Sequence, residues 1–156
     1  MSKKLLLISL PLLAAAPAVV LGVLSAISRR PENLGVRHGR LADCPSSPNC
    51  VATQSGSASQ RMSPWRYEGS PQAAIERLKR IVAATPRAKI VSASDDYLLA
   101  EFTSAIFRFV DDVEFLIDPA ARLIHFRSAS RIGYSDLGAN RRRMEELRRR
   151  WAAAAP

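Results

Sequence analysis

The chain has 156 residues, which gives room for one domain and an appendage but not for two separate cores. Its formal net charge is +9, yet residues 1–30 and residues 141–156 each carry +4, so residues 31–140 carry only +1. A nearly neutral body argues against the broadly basic surface that nucleic-acid-binding domains need, and no nucleic acid is expected as a partner.

The N-terminal segment is the first predicted element. Residues 5–27 form a stretch of 23 residues without a charge, preceded by two lysines and followed by Arg29 and Arg30. About 20 such residues cross a membrane as a helix, whereas the apolar part of a cleavable signal peptide is about 7–15 residues long. We therefore interpret residues 1–28 as an uncleaved signal-anchor with its transmembrane helix at 5–27, and a cleaved signal peptide is the alternative.

Residues 29–43 are predicted as a tether, followed by one domain over residues 44–152. Pro, Ser, Gly and Gln dominate residues 31–64, so this stretch is expected to be irregular. Cys44 and Cys50, the only cysteines, lie six residues apart in a loop bent by two prolines. We favour a disulfide, with two unpaired structural thiols as the alternative, because two cysteines alone make a poor metal site. A disulfide favours an oxidising compartment, so the domain is expected on the non-cytoplasmic (periplasmic) side.

A short strand is predicted within residues 62–68, with Trp65 and Tyr67 on one face. The helix that follows it in the chain is the clearest element of the domain. Ser70 is a good cap and Pro71 suits the first helical position, while Pro86 ends the helix near residue 85. Apolar residues at helical spacing form its inward stripe: Ala74, Ile75, Leu78, Ile81 and Val82.

Four strands are predicted next, over residues 89–92, 97–103, 107–117 and 122–128. The last two form a C-terminal hairpin over residues 107–128. Because Pro119 favours a tight two-residue turn, Ile117 is predicted to pair with Arg122. The same register sets four further pairs: Phe115 with Ile124, Val113 with Phe126, Glu114 with His125, and Asp112 with Arg127.

Asp111 is out of place in this hairpin. It falls on the apolar face of its strand, with Phe107, Phe109, Val113, Phe115 and Ile117. A buried carboxylate needs a partner, since leaving it unpaired costs several kcal/mol. The predicted register sets Asp111 opposite Ser128, and the nearest candidate partners in the chain are Arg131 and Asn140.

The last helix is predicted to begin after Asp136, a good capping residue. Its inward stripe consists of Leu137, Met144, Leu147 and Trp151, with Asn140 as the only polar member. Its exposed face carries two ion pairs at favourable spacing, Glu145 with Arg149 and Glu146 with Arg150. The fold class is therefore α+β: a small antiparallel sheet of three to five strands packed against two helices, behind an N-terminal apolar helix.

Three segments of the chain resemble one protein family. They read Cys-Pro-Ser-Ser-Pro-Asn-Cys-Val at 44–51, Phe-Val-Asp-Asp-Val-Glu-Phe at 109–115, and Arg-Ser-Ala-Ser-Arg-Ile-Gly-Tyr-Ser-Asp-Leu-Gly-Ala-Asn-Arg at 127–141. Over roughly residues 40–150 the chain is similar to the family catalogued as domain of unknown function 1499. The resemblance implies a small membrane-associated or exported domain, and it carries over no activity and no catalytic residues.

The segment 127–141 is the best candidate for a ligand site. Arginines, hydroxyls and the start of a helix together suit a phosphate or a carboxylate. The candidate ligand-binding residues are Arg127, Ser128, Ser130, Arg131, Asp136, Asn140 and Arg141. The competing interpretation is a structural polar network, in which this segment satisfies Asp111, Asp112 and Glu114.

The expected function is that of a noncatalytic domain of the cell envelope, membrane-tethered or exported, which binds a small anion or an envelope protein. No cofactor and no metal are expected. The alternative is a hydrolase or other enzyme built on four residues: Asp111, Arg127, Ser128 and Arg131. Strand alternation, however, places Asp111 and Asp112 on opposite faces, and neither His38 nor His125 has an obvious nucleophile in register.

Overall fold

The structure is a computed structural model that describes residues 28–154. It confirms the α+β class, although the antiparallel sheet has six strands instead of three to five. The elements in chain order are β1 (Cys50–Ala52), β2 (Trp65–Arg66), α1 (Pro71–Ala83), β3 (Ala88–Ala93), β4 (Tyr97–Thr103), β5 (Val110–Asp118), β6 (Leu123–Ser130) and α2 (Ala139–Ala153). The predicted membrane segment 5–27 lies outside the described residues, and between residues 28 and 154 no helix has the length and apolar character to cross a membrane.

The sheet has the order β1-β6-β5-β4-β3, and β2 pairs with β6 beside β1. Strand β1 belongs to the stretch 31–64 that was predicted to be irregular. Its three residues are too few for an alternating pattern to appear in the sequence. Strand β6 offers a row of backbone donors and acceptors on the side away from β5, and β1 and β2 supply their partners. Tertiary pairing therefore creates strand β1.

Helix α1 follows the prediction closely. Ser70 caps its start by accepting a hydrogen bond from the backbone N–H of Ala73 at 3.1 Å. Pro71 occupies the first turn, where a missing N–H costs nothing. All five residues of the predicted stripe are buried, so the apolar spacing in the sequence correctly identified the inward face of the helix.

The register of the β5–β6 hairpin differs from the prediction by two residues. Ile117 pairs with Ile124, and Phe115 pairs with Phe126. The connection is longer because Pro119 cannot adopt the positive φ that opens a two-residue type I′ turn. The chain instead turns through residues 119–122, ending with Arg122 at a φ of 54°. A shift of two residues preserves alternation, so each side chain stays on its predicted face.

Two apolar residues that were predicted to be buried are exposed. Strand β5 begins at Val110, later than predicted, because Ser104 and Phe109 close a tight loop through two hydrogen bonds, and Phe107 lies exposed in that loop. Leu137 is also exposed, because helix α2 does not begin directly after Asp136. The chain first makes a turn in which Leu137 has a φ of 53°, and the helix starts two residues later.

The two faces of the sheet are covered by different parts of the chain. Helices α1 and α2 pack on one face and enclose the apolar core, which includes Phe115, Phe126 and Trp151. Residues 28–43 contact the other face, where the backbone N–H of Gly35 donates to Oε1 of Glu114 at 2.7 Å. The predicted tether 29–43 thus lies against the sheet.

Candidate functional site

The sheet divides the predicted site residues between its two faces. Alternation along β6 turns Ser128 toward the helices and Arg127 away from them. In the same way, Asp111 and Asp112 are adjacent in β5 but belong to different networks. The four residues of the alternative enzyme hypothesis therefore do not form one cluster, because Asp111 and Ser128 lie on the helix side while Arg127 and Arg131 lie on the opposite side.

The network on the helix side, hereafter the helix-side network, is built on an ion pair between Asp111 and Arg143. Asp111 is 5% exposed and accepts a hydrogen bond from Nη2 of Arg143. Nη1 of the same guanidinium donates to Oδ1 of Asn140 at 2.5 Å and to Oγ of Ser128 at 3.1 Å. The predicted partners of Asp111 were Arg131 and Asn140, and both are wrong as direct partners. Arg143 supplies the charge from one turn further along α2.

Asn140 is the centre of the helix-side network, and its amide is fully buried. Nδ2 donates to the backbone oxygen of Asn49 at 3.0 Å, to Oγ of Ser130 at 3.0 Å and to Oδ2 of Asp136 at 2.8 Å. Oδ1 accepts from Oγ of Ser128 at 2.6 Å. Within residues 28–154, no buried side-chain atom of this network lacks a partner. The helix-side network is therefore closed, and it holds the start of α2 against β6.

The network on the other face, hereafter the segment-side network, contains Glu101, Asp112, Glu114, Arg127 and Arg131. Glu114 is fully buried and accepts from the N–H of Gly35, from the Tyr97 hydroxyl at 2.8 Å and from Nη1 of Arg127 at 3.2 Å. Burial and the adjacent Glu114 carboxylate raise the pKa of Tyr97 far above its ordinary value. Tyr97 is thus a permanent hydrogen-bond donor.

Arg131 holds two carboxylates of the segment-side network. Nε and Nη2 donate to the two oxygens of Asp112 at 2.8 and 2.6 Å, and Nη2 also donates to Glu101. The hydrogen bonds to Asp112 raise the pKa of Arg131 despite its burial. Burial opposes ionisation of Glu101, but the hydrogen bonds from Arg30 and Arg131 outweigh it and lower the pKa of that carboxyl. Arg131 and Glu101 are therefore both charged at neutral pH.

Arg127 is the incompletely satisfied member of the segment-side network. The residue is 4% exposed, and it bonds to Glu114 through Nη1. Its Nε finds no hydrogen-bond partner among the residues that the structure describes. A buried donor without a partner costs roughly 1–3 kcal/mol. Arg127 is therefore the member of the network that still has a hydrogen-bond donor without an acceptor.

Arg127 lines a cleft of about 300 Å³, hereafter the Arg127 cleft. Arg131, Ser130 and Asp112 line it from the sheet, and residues 31, 33 and 43–45 line it from the covering segment. Cys44 and Cys50, predicted as a disulfide pair, are bonded in the structure with their Cα atoms 5.7 Å apart. The disulfide fixes one wall of the cleft, because it ties residue 44 to strand β1.

A second cleft, of about 390 Å³, was missed by the sequence reasoning. It lies between Arg77 and the two tryptophans of the core, and the Arg77 guanidinium stacks over Trp151 with its central carbon 4.1 Å from the ring centroid. Nε of Arg77 and Nε1 of Trp65 lack partners within residues 28–154. The sequence pattern does not indicate this cleft, because it predicts that Trp65 and Trp151 both belong to the core.

The remaining candidates lie away from the Arg127 cleft. Arg141 donates to the backbone oxygen of Ser59 at 2.7 Å on the exposed side of α2. His125 was predicted to face Glu114, but the corrected register places it next to Thr53 and Asp118. No group of three or more potential metal ligands gathers anywhere within residues 28–154.

The comparison with family models agrees with the resemblance seen in the sequence. Residues 40–150 match the model of a family described as "Protein of unknown function (DUF1499)". No curated protein matches the chain. The matched range includes the disulfide loop, all six strands and both networks. Because this range covers more than half of the sequence, the chain belongs to the DUF1499 family.

Proposed function

We propose that this chain is a noncatalytic envelope domain, held at a membrane or exported, whose Arg127 cleft binds a small anion. The observation that carries the proposal is the buried guanidinium of Arg127, which lines the cleft and retains a donor without a partner among residues 28–154. An Arg fork matches the two oxygens of a carboxylate or phosphate better than any other side chain.

The charges around the Arg127 cleft favour a small ligand with a single negative charge. Asp112 is already neutralised by two hydrogen bonds from Arg131, and Asp43 is exposed at the rim. A doubly charged phosphate would meet both carboxylates without a further cation in the lining. A cleft of about 300 Å³ is also at the lower limit for small-molecule sites. We therefore infer a carboxylate of the size of acetate or slightly larger.

The proposed location rests on two separate features. Residues 5–27 are long and apolar enough for a membrane anchor, which would leave the domain tethered through residue 28. The disulfide between Cys44 and Cys50 supports an oxidising, non-cytoplasmic (periplasmic) compartment, because such bonds are rare in reducing ones. An envelope protein is the second class of partner that this location supports.

Thermal unfolding of the full chain in detergent tests the anion site. Acetate, formate, bicarbonate, phosphate and sulfate are added one at a time, at an ionic strength matched with sodium chloride. An anion at ten times its Kd stabilises the folded state by about 1.4 kcal/mol. We expect one or more carboxylates to raise the Tm by about 3–6 °C.

Two variants make this experiment specific. Arg127→Gln removes the charge but keeps an amide that can donate to Glu114, which also retains its hydrogen bonds from Gly35 and Tyr97. The variant should fold with a lower Tm than the wild type, because Glu114 loses its cation, and it should no longer be stabilised by the anion. Arg141→Gln removes an arginine that lies outside the cleft and should keep it. Equal stabilisation of both variants, or none for the wild type with any anion, would contradict the proposal.

A further inference from the structure

Exposed apolar side chains concentrate at one end of the domain. The described residues contain five large hydrophobic side chains that are exposed, and four of them lie on just two loops. Ile106 and Phe107 are 80% and 37% exposed in the β4–β5 loop, and Tyr134 and Leu137 are 77% and 84% exposed in the β6–α2 loop. Single exposed apolar residues are ordinary, but a group of this kind marks an interaction surface.

Both loops leave the sheet at the same end. Strand β5 begins where strand β6 ends, with Asp111 paired to Ser130, and the backbone N–H of Arg131 donates to the oxygen of Val110 at 3.2 Å. The four side chains Ile106, Phe107, Tyr134 and Leu137 therefore all lie at this end of the sheet, and we call them together the apolar rim.

The first described residues of the chain also contact the domain at this end. The first described residue, Ser28, accepts a hydrogen bond through its backbone oxygen from Nη1 of Arg131 at 3.5 Å. Arg30 then pairs with Glu101. The described part of the chain thus begins, at Ser28, beside the start of the β6–α2 loop. An anchor that ends here would bring the apolar rim to the membrane surface.

The loops that carry the apolar rim are basic, whereas two turns at the opposite end are acidic. Residues 28–30, 104–109 and 131–138 carry four arginines and one aspartate, and with Glu101 and Asp112, which Arg30 and Arg131 hold, the net charge is +1. The turns at the opposite end, residues 94–96 and 118–122, carry three aspartates and one arginine, for a net charge of −2. An anionic membrane attracts basic residues near its surface, by about 1 kcal/mol for each charge, and repels acidic ones.

We propose that the apolar rim inserts into the interfacial layer of the membrane and fixes the orientation of the domain, with the acidic turns pointing away. This inference rests on the proposed anchor at residues 5–27. Aromatic and apolar side chains flanked by arginines suit the boundary between head groups and acyl chains. Strand β5 spans nine residues, so the acidic turns lie about 25 Å farther from the membrane.

Fluorescent labelling of the full chain tests the orientation. The two native cysteines are bonded to each other, so a new cysteine is the only reactive thiol. Leu137→Cys and Ile106→Cys place an environment-sensitive dye on the apolar rim, and Ala120→Cys places the same dye on the exposed turn at the far end. Each protein is reconstituted into vesicles of phosphatidylcholine and phosphatidylglycerol that contain a lipid with a spin label on its head group.

We expect the spin-labelled lipid to quench the dye at residues 106 and 137 several-fold and to leave the dye at residue 120 unchanged. Equal quenching at all three positions would overturn the inference while leaving the anchor intact. Protection of residue 137 from aqueous iodide without quenching by the lipid would show a protein–protein contact and would also overturn it. Failure of the chain to float with the vesicles would overturn both the anchor and the rim.

Discussion

The two faces of the sheet bury charge in two different ways. On the helix side, Asp111 forms an ion pair with Arg143, and the surrounding amide and hydroxyl groups form hydrogen bonds with one another. On the segment side, Asp112 and Glu114 pair with two arginines, yet Nε of Arg127 stays without a partner within residues 28–154, and Arg127 is one of the residues that line a cleft. The first network is closed, and the second is open.

The difference follows from what covers each face. Helix α2 brings Asn140 and Arg143 to β6 at fixed spacing, because residues three apart lie on the same side of a helix. The irregular segment 28–43 instead contributes backbone groups such as the N–H of Gly35, and it leaves a gap above Arg127. Neighbouring aspartates can therefore have different surroundings, one inside the closed network and one at the edge of the Arg127 cleft.

Removal of Asp111 should have the largest effect on stability. Asp111→Ala leaves the guanidinium of Arg143 partly buried without its carboxylate, and the loss should be about 3 kcal/mol in the free energy of unfolding. Urea denaturation measures it. Asp111→Asn should lose less, because its amide oxygen can still accept from Arg143. A loss below 1 kcal/mol for Asp111→Ala would show that the Asp111–Arg143 pair contributes little to the stability of the fold.

Loss of the disulfide should have the next largest effect, and it acts on the wall of the Arg127 cleft. A bond that closes a loop of about seven residues stabilises the folded state by ~2 kcal/mol through the entropy of the unfolded chain. The double variant with Cys44→Ser and Cys50→Ser should therefore unfold at a lower Tm than the oxidised wild type. Reductant should lower the Tm of the wild type to that of the variant and leave the variant unchanged, and an equal response of both would contradict this.

Removal of the Arg127–Glu114 pair as a whole should cost less than removal of Asp111 alone. Arg127→Met combined with Glu114→Gln removes both charges and the unpartnered donor, and the amide oxygen of the glutamine can still accept from Gly35 and Tyr97. Because no unpaired buried charge remains, we expect a loss of about 1 kcal/mol in the free energy of unfolding, measured by urea denaturation beside Asp111→Ala. A larger loss for the double variant than for Asp111→Ala would contradict this expectation.

The smallest effect should be a dependence of stability on pH that comes from His125 on the segment side. Burial lowers the pKa of His125, and the nearby Asp118 only partly opposes this. The unfolded chain therefore binds a proton at His125 more readily than the folded chain does. The contribution of neutral His125 to the free energy of unfolding is complete above a pH of about 6.5, and it is lost as the pH falls through the lower folded-state pKa. His125→Gln should show a smaller loss of unfolding free energy between neutral pH and pH ~5.5 than the wild type. An unchanged slope would contradict the assignment.

Local patterns in the sequence, such as capping residues and the spacing of apolar residues, were sufficient to predict much of the fold. The caps and apolar spacing of helix α1 placed it correctly, and strand β4 has the predicted bounds. Alternation along β5 also turned Asp111 inward, toward the helices. These features depend on backbone geometry that repeats every two or 3.6 residues, so a few neighbouring residues specify them.

Features that depend on distant parts of the chain required the tertiary structure. The two-residue shift of the hairpin preserves the pattern on each face, so alternation alone could not exclude it. The partner of Asp111 proved to be Arg143, because the chain turns once more before helix α2 begins. Strand β1 exists because β6 has a free edge, and the Arg127 cleft exists because residues 28–43 cover the sheet incompletely. Contacts between residues 30 to 100 positions apart leave no periodic pattern in the local sequence, so only the packing of the elements determines them.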